Sequence, residues 1–170
     1  GIPVILVDRK INSKKYTAYV GADNYEIGRK AGEYIADRLG GKGRVIEITG
    51  LRGSTPAVER HRGMMEALKA APGVQVVASA EAGWFRQKAG EVMDTLLDAH
   101  PQVNLVFAQN DRMAIGAYEK ARQKNRAGQI AFVGVDAVAG GVESVAEGKL
   151  DATFIYPTGG DKVVQVAMAI

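Results

Sequence analysis

The sequence contains no cysteine. That excludes disulfides, thiolate nucleophiles and cysteine-based metal sites, and it is compatible with either side of a bacterial inner membrane. Aromatic residues are scarce, at 6%, and tryptophan occurs once, as Trp84. The two histidines, His61 and His100, lie far apart, and no ligands stand at metal-binding spacing. His100 sits in a helix-ending Ala-His-Pro, where a structural role is expected. No apolar run approaches membrane-spanning length. Like charges form no block, so the formal net charge of +3 does not argue for nucleic acid. Phosphate-loop and G-x-S-x-G nucleophile-elbow motifs are missing, and Gly50 and Gly53 are not in dinucleotide-loop spacing. Nothing supplies an activated nucleophile or a matched acid and base. The expectation is a binding module, not an enzyme, with no cofactor and no metal.

What is present is ordinary for a globular chain: 170 residues, 46% hydrophobic and 24% charged, enough for one domain or slightly more. Apolar periodicity alternates between strand and helix. Pro3–Val7 is a short β-branched run, and Thr17–Gly21 a second extended piece. A helix starts at the capping residue Asp23, with Ile27, Ala31, Tyr34 and Ile35 at helical spacing, and Gly40–Gly41 stops it. Residues 44–49 read as a strand. The turn at 50–55 and Pro56 open a helix running to about Ala71. Residues 74–79 are a strand, followed by a helical face through Ala89, Val92, Met93, Leu96 and Leu97. The pattern continues with a strand at 104–108, a helix from Asp111 to about Gln123 and a strand at 130–135. A short helix near 141–147, a strand at 152–155 and a helix over 159–170 complete it. Such alternation predicts an α/β fold: a doubly wound parallel sheet with helices on both faces. The opening strand has no expected partner nearby and the last helix lacks a cap, so a fragment of something larger is expected, with exposed apolar surface and self-association.

In open α/β sheets, ligands bind outside the carboxyl ends of the strands. The residues following each expected strand are therefore the informative ones. They are Asp8 and Arg9; the Gly-rich turn with Glu59, Arg60 and Arg62 beyond it; Trp84; Gln109, Asn110 and Asp111; Asp136; and Tyr156. Carboxylates accept pairs of hydrogen bonds from adjacent hydroxyls, and arginine donates a planar fork. Asparagine does both, and a tryptophan face packs on the C–H side of a sugar ring. This donor set suits a polyol or sugar better than a phosphate. Each residue also has a bland reading. Asn110 or Asp111 is a helix cap, Asp136 a turn former, Trp84 core packing, and Arg60 half of a surface ion pair with Glu59. In the expected arrangement, Asp111 starts the helix and Asn110 points into the cleft as a ligand, while Gln109 is left ambiguous.

The segments IPVILVDR, GADNYEIGRKAGEYIA, VIEITGLRGSTPAVERHRGM, VFAQNDRMAIGA, VGVDA and EGKLDATF together resemble the periplasmic sugar-binding proteins, the ribose-binding type above all, over essentially the whole chain. The resemblance implies a two-lobed clam-shell with the sugar between lobes. Residues 1–22 would be the end of the N-terminal lobe and a crossover, 23–154 the C-terminal lobe, and 155–170 a return crossover and helix, the rest of the N-terminal lobe being absent. It implies sugar contacts from Asp8, Arg9, Arg60, Trp84, Asn110, Asp136 and Tyr156. Tyr156 stands where the ribose type has glutamine, and Val135 where it has an aromatic; both departures point away from ribose while keeping a sugar. A periplasmic receptor is implied, partnered by a membrane permease or a sensor's transmembrane region, with no nucleic acid bound through this segment. The effector domain of a sugar-responsive repressor is the rival reading.

Overall fold

The computed structural model describes residues 1–170. The elements follow the expected order: β1 (Ile5–Val7), β2 (Ala18–Val20), α1 (Asn24–Arg38), β3 (Lys42–Thr49), α2 (Thr55–Leu68), β4 (Gly73–Glu81), α3 (Arg86–Ala99), β5 (Leu105–Ala108), α4 (Asp111–Gln123), β6 (Ala131–Asp136), α5 (Ala139–Ala146), β7 (Ala152–Ile155) and α6 (Gly160–Ala169), with a 3₁₀ turn at Ala127–Gln129. Asp23 caps α1, its carboxylate accepting from Glu26 N at 3.0 Å. Helix α2 ends at Leu68, earlier than the apolar periodicity predicted, because Pro72 disfavours helical backbone at the residue before it and residues 69–71 are already turning.

Strands β3 to β7 form one parallel sheet in the order β4-β3-β5-β6-β7. Side-chain alternation sends Val45, Leu105, Phe107, Val133 and Val135 to one face, where Ile27, Ala31 and Ile35 of α1 and Met64 and Leu68 of α2 cover them. Ile46, Ile48, Val106, Ala108 and Phe132 go to the other face, under Ala89, Met93 and Leu97 of α3 and Met113, Ala114 and Ala117 of α4. This is the doubly wound architecture expected. Chain direction across the sheet reverses between β3 and β5, and α2 and α4 leave those strands on opposite faces. A crevice therefore opens at their carboxyl ends, as it does at any such switch point.

One expectation needs correction. Strand β1 is not partnerless: it pairs in parallel with β2, Ile5 against Ala18 and Val7 against Val20. The crossover between them is short, but residues 8–17 fold back so that Thr17 N donates to Val4 O at 2.8 Å. This small two-stranded sheet stands apart from the main one. Together with α6 it carries much of the exposed apolar surface, including Ile2, Val4, Val164 and Met168.

Helices α1 and α2 touch backbone to backbone. A Cβ on Gly63 would lie 2.1 Å from Tyr25 O, and one on Gly28 would lie 2.1 Å from Arg60 O. This contact brings the start of α1 up to Arg60. Gly63→Ala is expected to destabilise the fold by about 1–3 kcal/mol, as overpacked contacts do. Gly90→Ala, whose Cβ meets nothing closer than 3.4 Å, should be neutral or stabilising by about 0.5–1 kcal/mol through helix propensity. Urea unfolding of the two variants checks the contrast.

Candidate functional site

All seven residues singled out in the sequence line one cavity of about 330 Å³ at the carboxyl ends of the strands: Asp8, Arg9, Arg60, Trp84, Asn110, Asp136 and Tyr156. They come from six separate stretches of chain, and the parallel sheet brings them together. Pro56, Val138 and Thr158 complete the lining. Sequence reasoning missed these three. Pro56 read only as a helix starter, and Val138 and Thr158 stand two residues beyond the strand-end positions Asp136 and Tyr156.

Arg60 is the centre of the site. It projects from α2 and is only 3% exposed, so the reading as a surface ion pair with Glu59 fails; Glu59 instead takes Lys10 Nζ at 3.3 Å. Arg60 Nε donates to Asn24 Oδ1 at 2.9 Å, and Nη1 donates to the main-chain oxygen of Gln109. Its guanidinium lies over two aromatic rings, 5.0 Å from the Tyr156 centroid and 5.7 Å from that of Trp84. Nη2 has Asp136 Oδ1 at 3.9 Å, beyond a direct hydrogen bond. Burial pushes the Arg60 pKa down, opposed by the charges of Asp136, Asp8 and Asp111. With a reference value above 12, the group keeps its charge.

Trp84 sits at φ 75°, and its ring lies flat against the turn after β3. A Cβ on Gly50 would come within 2.1 Å of the ring carbons, so only glycine allows this seat. Arg9 approaches the same ring, 5.9 Å from its centroid. Asp8 (φ 70°) and Asp136 (φ 117°) also have positive φ, outside the usual backbone regions. Three of the five non-glycine residues with positive φ therefore line this one cavity. Each such residue costs on the order of 1–3 kcal/mol and persists only where its surroundings over-determine it, which is common at ligand sites.

Burial pushes the Asp136 carboxyl up to about 6, the nearby charges of Asp111 and Asp8 add to the rise, and Arg60 and Arg112 oppose it. Tyr156 donates its phenolic hydrogen to Asp8 Oδ1 at 2.5 Å. Its pKa is pushed up to about 12, by burial first and then by that hydrogen bond. The phenol is thus a neutral donor, and it uses one acceptor of Asp8.

The polar triplet after β5 is arranged differently from expectation. Asn110, not Asp111, caps α4: its Oδ1 accepts from Met113 N at 2.8 Å. Its Nδ2 reaches Trp84 O at 3.4 Å, and the residue still lines the cavity. Asp111 lies in the first turn, fully buried, taking Thr153 Oγ1 at 2.5 Å and Val138 N at 3.0 Å. It holds the loop after β6 beneath Asp136. Gln109 is fully buried and turned away from the cavity, as the strand alternation dictates.

The cavity thus offers carboxylate acceptors, a guanidinium, an amide and an aromatic wall. Comparison with known proteins gives the same direction. The profile of the periplasmic binding protein domain matches residues 1–170. The ribose import binding protein of Salmonella typhimurium is 41% identical over 153 residues, covering 90% of this chain and 51% of that protein. The D-allose-binding periplasmic protein of Escherichia coli is 33% identical over 161 residues, covering 90% and 52%. Among solved structures, the fructose-binding periplasmic domain of a hybrid two-component system is 56% identical with a TM-score of 0.96, covering 99% of this chain and 57% of that one. The chain spans about half the length of the curated relatives it matches. With its sheet, its strand-end cleft and this match over its full length, the chain belongs to the periplasmic binding protein domain family.

Proposed function

We propose that this chain supplies one wall of an interlobe cleft that binds a monosaccharide or related polyol, as the extracytoplasmic receptor of a sugar sensor. The observation that carries the reading is the convergence of seven strand-end residues on one cavity around the buried Arg60. Asp136 and Asp8 accept hydroxyl donors, Arg60 Nη2 and Arg9 donate, and Trp84 supplies an apolar platform. Residues 23–154 form the C-terminal lobe, and 1–22 and 155–170 the crossovers and part of the second lobe. In support, β1, β2 and α6 contain a single buried residue, Val20, and apolar side chains there and just before β1 stay exposed, Ile2 at 92% and Met168 at 85%. The missing lobe covers those surfaces in the whole receptor; in its absence they invite self-association. The function is binding, without chemistry on the sugar, in keeping with the binding proteins among its relatives.

The sensor role rests on the 56% identity to a domain of a hybrid two-component system. The relatives named for ribose import support a second reading, the solute receptor of an ABC transporter working with a membrane permease. The fructose-binding neighbour makes D-fructose the first sugar to try.

Calorimetry on the full receptor chain with D-fructose, D-ribose, D-allose and myo-inositol should give micromolar or tighter binding for at least one; no heat from any of them refutes the sugar reading. Trp84→Ala and Arg60→Met should each weaken that binding by at least tenfold, about 1.4 kcal/mol.

Asp136 yields a pH prediction. It must be ionised to accept from two hydroxyls, so sugar affinity should fall as pH drops through about 6, and Asp136→Asn should bind weakly and lack that dependence. Stability runs the other way. The folded protein holds this proton more tightly than the unfolded chain, so the Asp136 contribution is most favourable below the ordinary value of 3.8 and is lost as pH rises through about 6. Relative to wild type, Asp136→Asn should therefore gain about 1–3 kcal/mol at pH 7 and gain nothing at pH 3.5, read from urea unfolding at the two pH values.

A further inference from the structure

Glu47, on β3, is fully buried beneath α2 and takes no direct part in the cleft. Its carboxylate is met by three side chains from three separate stretches of chain. Oε2 accepts from Ser79 Oγ on β4 at 2.8 Å and meets His61 Nδ1 on α2 at 2.7 Å; Oε1 accepts from Nε2 of Gln109, just after β5, at 2.9 Å. A carboxylate this deep needs a cation or several donors. Among its partners only His61 can bring a positive charge; it reaches solvent, with its side chain 47% exposed, as does the uncharged Ser79.

Gln109 links this carboxylate to the cleft through its side-chain amide and its main-chain oxygen. Nε2 donates to Glu47 and to Ala57 O at 3.1 Å, Oε1 accepts from Gly50 N at 2.9 Å, and the main-chain oxygen accepts from Arg60 Nη1. The turn that seats Trp84, the start of α2 and the guanidinium of Arg60 all hang on one buried amide residue. We infer that Glu47 and Gln109 are positioning residues for Arg60, and that His61 connects them to the outer face, so that protonation there and ligand binding in the cleft act on one another. This rests on the binding role proposed for Arg60.

The surroundings of His61 leave Glu47 as its one hydrogen-bonded charge. Arg52 and Glu81 line the same outer depression but face each other at 3.5 Å. On α2 itself, Glu59 binds Lys10, Arg60 enters the cleft, and Arg62 lies 4.8 Å from the Tyr25 centroid. The Glu47 hydrogen bond raises the His61 pKa above its ordinary value, against a smaller opposing effect of burial. The pair is therefore formed at the acidic side of neutrality and lost as pH rises through the raised value. Coupling between two such sites is reciprocal: a ligand that holds Arg60 and α2 in place favours the His61–Glu47 pair, and the charged pair favours the ligand.

The test follows the His61 imidazole by NMR in the full receptor chain, assigned with His61→Gln. Without sugar, Arg60→Lys keeps the charge but loses the planar fork that reaches both Asn24 and Gln109. It should move the His61 midpoint by 0.3 pH unit or more, about a twofold effect. Glu47→Gln should return the midpoint to about 6.5. With saturating D-fructose, the wild-type midpoint should rise by a similar amount. D-fructose affinity should then weaken about twofold above that midpoint in wild type and stay level there in His61→Gln. A midpoint unmoved by Arg60→Lys overturns the inference, as does one unmoved by a sugar that binds. A midpoint that moves with Arg60→Lys while none of D-fructose, D-ribose, D-allose and myo-inositol binds upholds the connection and removes the sugar reading instead.

Discussion

The site depends on a positive charge held out of water. A guanidinium as buried as that of Arg60 is tolerated only where its donors are used and its faces are covered. Asn24 and the Gln109 carbonyl take two of its nitrogens, and Trp84 and Tyr156 flank it with aromatic faces. Each of these partners is in turn placed by something else. Asn24 reaches Arg60 because α1 and α2 approach at Gly28 and Gly63. Trp84 reaches it because Gly50 has no side chain, and Tyr156 because Asp8 accepts its hydroxyl. What stays free is one nitrogen aimed towards Asp136, a donor and an acceptor set side by side at the mouth of a crevice.

That arrangement is held against local cost. Asp8, Trp84 and Asp136 all adopt positive φ, and Asp136 keeps a carboxyl in surroundings that favour its neutral form. A fold selected for stability alone would relax these positions. Buried polar chains carry the strain instead: Asp111 with Thr153 and Val138 under one side of the cleft, Glu47 with Gln109, Ser79 and His61 under the other. Low dielectric makes such fully satisfied networks stiff, and stiffness is what a site discriminating among hydroxyl patterns requires.

Much of this was legible in the chain. The 3.6- and 2-residue periods marked every helix and strand because each element buries a definite face, and only boundaries moved, as at Leu68. The strand-end rule pointed to seven of the ten residues that line the cavity, along with Glu59, Arg62, Gln109 and Asp111 that do not, because a parallel sheet aligns its carboxyl ends whatever the side chains are. The roles within the triplet after β5 were harder. Asn110 and Asp111 are both competent caps, and which one accepts from the helix is decided by where α4 meets the loop after β6. Glu47 gave no signal, since one glutamate in an apolar strand reads like any other charge, and His61 stood out only as one of two histidines far apart in the chain.

Periodicity, turn chemistry and residue type by themselves determined the α/β alternation, the identity of the strand-end residues and their aptitude for a polyhydroxyl ligand, because these follow from local sterics and hydrogen-bonding capacity. Only the tertiary structure decided which of those residues touch, that β1 finds a partner in β2, that Arg60 is buried and not paired on the surface, and that Gln109 faces inward to Glu47. Those outcomes depend on how the helices approach and on which faces of the strands meet, contacts made between residues as many as 148 positions apart, beyond the reach of any local pattern.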